Sequence, residues 1–287
     1  VLETSNIIIA TGGKAREFPG LPFNGSNVIG SREAMTLPSQ PSRMVIIGAG
    51  AIGVEFAYIY NAFGTEVTLV EMMPRLVPVE DDDIGDALKK SYSRQGIKCL
   101  TDTKVIATEN AGDSVRVTVE NAKGSQVIEA DICLVAIGVV PVLPGGQLPE
   151  FTDRGWIQIG DRYETSMRGV YAIGDIAGPP WLAHTAMYEA TQCVDGIFLP
   201  ESTPSRVGTF PGCTYCYPEI ASVGKTEREL QEEGVAYKAG KFPYQALGKA
   251  QAAAETEGFI KLLFGEEHGE LLGAHIIGAN ATDIIAE

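Results

Sequence analysis

Met44-Val45-Ile46-Ile47-Gly48-Ala49-Gly50-Ala51-Ile52-Gly53 decides the fold. A short apolar run, the signature of a buried strand, feeds straight into G-x-G-x-x-G. Beyond it, Ile52, Phe56, Ile59, Tyr60 and Phe63 recur at spacings of three and four, so a helix is expected from about Gly53 to Phe63. Thr65 to Glu71 reads as a second strand with an acidic residue at its end. Strand, glycine turn, helix and strand fill a unit of about 30 residues, the context that makes the glycine motif specific for a dinucleotide.

Each glycine has a physical task. Gly48 permits the tight turn, Gly50 lets the backbone approach a pyrophosphate, and Gly53 lets the helix pack close to the strand. The phosphates then face free N–H groups at the positive end of the helix. Gly48, Ala49, Gly50, Ala51, Ile52, Gly53, Val54 and Glu55 form the candidate phosphate-binding set. Glu71 is placed to accept hydrogen bonds from both ribose hydroxyls and to repel a 2′-phosphate. Met72 and Met73 follow it with no adjacent arginine, and Arg75 lies nearby, so NAD is favoured over NADP.

Working outward, Asn6 to Ala10 reads as a buried strand closed by Thr11-Gly12-Gly13. Residues 18–41, rich in Pro and Gly, read as linker and loop. Asp81 to Gln95 reads as a helix, and the run Glu80-Asp81-Asp82-Asp83 as its start and not a metal site. Ser114 to Glu120 alternates strictly and returns through Lys123-Gly124 as a hairpin. Ile132 to Ile137, Trp156 to Ile159, Gly169 to Ile173 and Ile220 to Val223 read as strands. Thr226 and Glu229 form a capping box, and Gly258 to Phe264 pairs with Leu271 to Ile277. Pro200 to Pro204 suggests a domain boundary.

Composition narrows the function classes. The 287 residues carry a net charge of −15, which repels phosphate backbones and argues against nucleic acid as a partner. No run approaches the roughly 18 apolar residues of a membrane span, and no signal peptide is visible. Five scattered cysteines fit a reducing compartment, the cytoplasm or, in a eukaryote, the mitochondrial matrix. Cys213 and Cys216 read as structural thiols, and the three histidines have no metal-ligand spacing, so no metal is expected. The chain begins without Met and stops inside an apolar-periodic run, so a piece of a longer polypeptide is expected.

A second constellation pairs Thr11-Gly12-Gly13 with Gly174-Asp175. An acidic side chain after a strand-ending Gly suits the hydroxyls of a ribitol or ribose, but equally a helix or turn cap. Taken with the Gly48 to Glu55 motif, Gly169-Val170-Tyr171-Ala172-Ile173-Gly174-Asp175, Tyr217 to Gly224, Leu182-Ala183-His184 and Gly273 to Gly278, the chain resembles the pyridine nucleotide–disulfide oxidoreductases along its whole length. Within that family it is most similar to the branch that oxidises dihydrolipoyl dithiols.

The resemblance implies an α/β fold with FAD and NAD as cofactors. It implies a Rossmann-like NAD domain over residues 14–145, with a β-hairpin or meander crossover. A partial FAD domain would span residues 1–13 and 146–205, and an α+β dimerisation domain residues 206–287. It places Thr11, Gly12, Gly13, Asp175, Trp181, Leu182, Ala183 and His184 at FAD, the last four beginning a helix that faces the flavin. It places Val105 and Gly138 at NAD, and gives Glu55 the role of a carboxylate paired with a lysine beside the flavin. A homodimer and the lipoyl domains of 2-oxo acid dehydrogenase or glycine cleavage complexes are the implied partners. The family's C-x-x-x-x-C pair, FAD-phosphate glycine motif and His–Glu dyad do not occur in this sequence, and Val139-Val140-Pro141-Val142 stands where a basic residue and an Asn are usual. The chain alone is therefore expected to lack lipoamide turnover. A mercuric- or glutathione-type reductase, an NADH oxidase or peroxidase, and a nucleotide-binding fragment without catalysis stay open as alternatives.

Overall fold

The computed structural model describes residues 3–199, 201–206 and 208–287. Contacts divide the chain into two compact units. One comprises Val1–Lys14 with Val139–Phe210, the other Ala15–Gly138 with Pro211–Glu287. The expected boundary at residues 200–204 includes Pro200, which lies outside the described residues. By contacts, the division of the chain falls at Phe210/Pro211.

The larger unit is built on a parallel sheet in the order Val28–Ile29, Ile132–Val135, Arg43–Ile47, Glu66–Val70, Lys98–Leu100. Its central strands are continuous apolar runs because both faces are covered. On one face Met44, Ile46 and Leu69 pack with Val54, Ala57, Leu88 and Tyr92 of the helices Ala51–Ala62 and Asp82–Gln95. On the other, Val45, Ile47 and Val135 pack against Val115, Val117 and Val119. Those valines come from the central strand of an antiparallel meander, Lys104–Asn110, Val115–Asn121 and Gly124–Ala130. The strict alternation seen in the sequence is thus one buried valine face and one wet face.

Residues 18–41 are more than a linker. They supply the edge strand Val28–Ile29 and the one-turn helix Ser31–Ala34. The strand is two residues long, too short for any period to show, and the Asn24 side chain sets it up by accepting from the N–H groups of Ser26, Asn27 and Val28.

The same unit holds an antiparallel sheet in the order Gly212–Thr214, Ile220–Gly224, Leu271–Gly278, Gly258–Gly265, Tyr237–Pro243. Gly258–Gly265 pairs with Leu271–Gly278 as expected. Thr226 and Glu229 close a reciprocal capping box at the start of the helix Glu227–Glu233. The strand Tyr237–Pro243 escapes sequence reading because its side chains are mostly exposed and show no alternation.

In the smaller unit Ile7–Ile9 runs parallel to Val170–Ala172, and the helix Ala183–Phe198 follows. Two expectations are corrected here. Ile7 and Ile8 are 51% and 38% exposed, not buried, because among the described residues their strand has one sheet neighbour. Trp156 to Ile159 is not a strand: Ile157 makes an isolated bridge to Phe151 and donates its N–H to Ile176 O, between turns at Gly155 and Gly160. No helix among the described residues is long and apolar enough to cross a membrane.

Candidate dinucleotide sites

The Gly48–Gly53 turn has the geometry its sequence requires. Gly48 has φ +99°, and a Cβ there would lie 2.5 Å from Ala136 O. A Cβ on Gly53 would lie 1.9 Å from Gly48 O, so nothing larger than hydrogen fits where the helix crosses the strand. Gly50 is different: a Cβ there meets nothing within 4 Å. Its backbone faces open space, as a pyrophosphate requires. Gly50 is the N-cap of the helix Ala51–Ala62 and no side chain caps that terminus, leaving it to attract an anion.

Glu71 lies directly after the strand Glu66–Val70 and is 8% exposed. One carboxylate oxygen accepts from Ala49 N–H at 2.7 Å and the other from Met73 N–H at 2.8 Å. The carboxylate that was expected to bind ribose therefore also braces the glycine turn. Each oxygen keeps a second lone pair for a hydroxyl donor.

Val105 is part-buried in the meander, beside a register shift between Val105 and Ala107. Gly138 has φ +105° and its carbonyl accepts from Arg16 N–H. Glu55 projects from the helix behind the turn and accepts from Tyr215 N–H at 2.8 Å. Burial pushes its carboxyl above the usual range, and the Tyr215 hydrogen bond opposes that shift.

In the smaller unit the second constellation is brought together. Gly12 has φ +72° and Gly174 φ +69°. A Cβ on Gly13 would lie 3.5 Å from Asp175 Cβ, so the two loops touch. The part-buried Asp175 carboxyl is pushed up by burial. Glu189, not singled out from sequence, accepts from Gly174 N–H at 2.7 Å and fixes the turn. Leu182 is the N-cap of Ala183–Phe198, with no side-chain cap, and His184 lies in its first turn. Trp181 is 40% exposed, its ring centroid 5.3 Å from that of Trp156. An open glycine turn and an uncapped helix terminus fit a second nucleotide as they fit the first.

Cys213 and Cys216 are free thiols. Burial pushes Cys216 up to about 12 and also raises Cys213, the opposite of a reactive pair. Asp81, Asp83 and Glu227 converge closely enough to ligate a cation, and the Lys261 ammonium donates to all three. Sequence reading missed Lys261, although a signal existed. In Gly258–Gly265 it shares the buried register with Phe259 and Leu263, a place where lysine needs partners.

A doubly covered parallel sheet, an uncapped glycine turn and a carboxylate at the end of the next strand define an α/β protein of dinucleotide-binding type. Comparison with known proteins makes the assignment particular. Residues 1–190 match the pyridine nucleotide-disulphide oxidoreductase family, and residues 210–287 match its dimerisation domain. The chain is 42% identical over 286 residues to dihydrolipoyl dehydrogenase of Rhizobium etli, covering 98% of this chain and 59% of the relative. It is 38% identical to the mitochondrial dihydrolipoyl dehydrogenase 2 of Arabidopsis thaliana, covering 100% and 58%. Among solved structures, the HOCl-induced flavoprotein disulfide reductase RclA of Escherichia coli superposes with a TM-score of 0.86 at 25% identity, covering 98% of this chain and 65% of that one. The chain belongs to the pyridine nucleotide-disulphide oxidoreductases, a family of FAD- and NAD-dependent enzymes. It spans about three fifths of the length of the curated relatives named here.

Proposed function

We propose that this chain is the NAD-binding, partial FAD-binding and dimerisation portion of a dihydrolipoamide dehydrogenase. The observation that carries the proposal is the Gly48–Gly53 turn with the Glu71 carboxylate bonded into it. Gly48 to Glu55, Glu71, Val105 and Gly138 would hold NAD. Thr11, Gly12, Gly13, Asp175 and the helix start Trp181 to His184 would hold FAD. When bound, FAD supplies a two-electron relay and NAD a hydride acceptor. The protein's part is to orient them: helix termini face negative charge, and Glu71 and Asp175 take sugar hydroxyls. Glu55, held by Tyr215 N–H, is the carboxylate proposed to tune the flavin side.

Residues 210–287 would join two copies as a homodimer, as the dimerisation-domain match supports. Lipoyl domains of 2-oxo acid dehydrogenase or glycine cleavage complexes would deliver the dithiol, in the cytoplasm or mitochondrial matrix. The test uses dihydrolipoamide and NAD as the redox pair. The protein at its full encoded length reduces NAD, whereas the 287-residue chain, whose sequence has no C-x-x-x-x-C pair, does not. Turnover by the chain itself contradicts the proposal. So does a full-length protein that ignores dihydrolipoamide and reduces glutathione disulfide or mercuric ion.

A further inference from the structure

The segment between Glu71 and the helix Asp82–Gln95 holds a strained residue with an unusual set of restraints. Val77 has φ +43°. A β-branched side chain in left-handed backbone persists only where the surroundings hold it. Its N–H donates to Ala49 O at 2.7 Å, so the strain is tied directly to the glycine turn. Leu76 and Val77 are both buried. Gly85 closes the segment from behind, since a Cβ there would lie 2.5 Å from Leu76 O.

The next residues are gripped by the carboxyl-side part of the same compact unit. Arg228 donates to Pro78 O at 3.1 Å and to the Asp82 carboxylate at 2.5 Å. Asp81 is 1% exposed. It accepts from Asp83 N–H at 3.1 Å, from Glu227 N–H at 3.1 Å and from Lys261 Nζ at 2.6 Å, so one carboxylate joins two helix starts to a buried ammonium. Lys261 also donates to Asp83 at 2.9 Å and to Glu227. Lys241 lies 3.4 Å from Asp83 and Arg75 3.2 Å from Asp82, which offsets the remaining negative charge.

We propose that Lys261 and Arg228 are positioning residues for the dinucleotide turn. By fixing Pro78 and Asp81 they hold Val77 in its left-handed conformation, and Val77 in turn holds Ala49 and the Gly48–Gly53 backbone in the phosphate-binding shape. Dinucleotide affinity is thereby coupled to the seating of the carboxyl-side sheet. The inference rests on the reading of the turn as an NAD site.

The test titrates the purified chain with NADH by fluorescence and follows amide exchange at Val77. Arg228→Met is the deciding variant, because its half-exposed side chain can be removed without emptying the core. It is expected to raise the NADH Kd between about two- and thirtyfold and to speed Val77 exchange, with unfolding still cooperative. Arg228→Lys, which keeps the charge, recovers part of the affinity. Lys261→Met, measured on whatever fraction folds, has a larger effect of the same sign. Arg94→Met, which removes the ion pair from the far end of the helix Asp82–Gln95 to Glu257, leaves both readouts unchanged. A folded Arg228→Met chain that binds NADH with wild-type affinity overturns the coupling. A wild-type chain that does not bind NADH overturns the underlying NAD reading instead, and the coupling with it.

Discussion

The two glycine turns solve one problem with different amounts of support. At Gly48–Gly53 the backbone is braced by Ala136 behind Gly48, by Glu71 on Ala49 N–H and by Val77 on Ala49 O, the last anchored through the Lys261 cage. At Gly12 and Gly174 the sheet is two strands wide among the described residues, Ile7 and Ile8 are exposed, and Glu189 fixes Gly174 N–H. The first turn is a locked cradle whose determinants run along one stretch of chain. The second is assembled from segments far apart in sequence on a lightly covered sheet. Tolerance to substitution should therefore differ sharply between the two.

The largest effect is expected from Lys261→Met. Removing the ammonium strips the buried Asp81 carboxylate of its partner and leaves it facing the part-exposed carboxylates of Asp83 and Glu227, and breaking a buried pair of this kind costs about 3–5 kcal/mol. Chemical denaturation should show that loss. A variant as stable as wild type would mean that the carboxylates find other partners and that the first turn is less firmly braced than described.

Gly53→Ala set beside Gly174→Ala compares the turns directly. The first forces a methyl to 1.9 Å from a backbone carbonyl and is expected to cost about 3 kcal/mol, near the upper end for overpacking, with loss of NADH binding. The second meets only the Ala186 methyl at 3.3 Å, so its cost comes mainly from the φ of +69°, about 1–2 kcal/mol. Equal losses in thermal unfolding would erase the distinction.

A smaller effect is expected in acid. Lys261 holds the carboxyls of Asp81 and Asp83 below their ordinary values, against the desolvation that raises them. Groups with depressed folded values contribute stability that is present above about pH 4 and lost as pH falls through the lowered values. Asp81→Asn keeps a capping oxygen but removes the charge, and should flatten that acid limb of the stability profile. An unchanged limb would place acid sensitivity elsewhere.

Much of this was legible in the chain. Strand, glycine turn, helix and acidic end lie in unbroken order from Met44 to Glu71, so local periodicity and glycine spacing suffice for the first turn. The strict alternation of Val115, Val117 and Val119 announced a sheet with one buried face. The second turn was ambiguous by local physics, because Asp175 after a strand serves equally as a cap, and only resemblance joined it to Gly12. Glu189 and the Lys261 cage were not read, since their meaning lies in contacts between distant segments: Lys261 meets Asp81 across 180 positions. The edge strand Val28–Ile29 was missed because two residues carry no period.

The most direct test of the account is a parallel titration of the purified chain with NADH and NADPH. The Glu71 carboxylate, fixed by Ala49 and Met73 N–H groups, cannot swing away from a 2′-phosphate, so NADH should bind at least about tenfold more tightly, a difference of about 1.4 kcal/mol. Glu71→Ala should weaken NADH and narrow the gap. Equal affinity for the two nucleotides, or tighter binding of NADPH, would contradict the assignment of the Gly48–Gly53 turn and Glu71 to NAD.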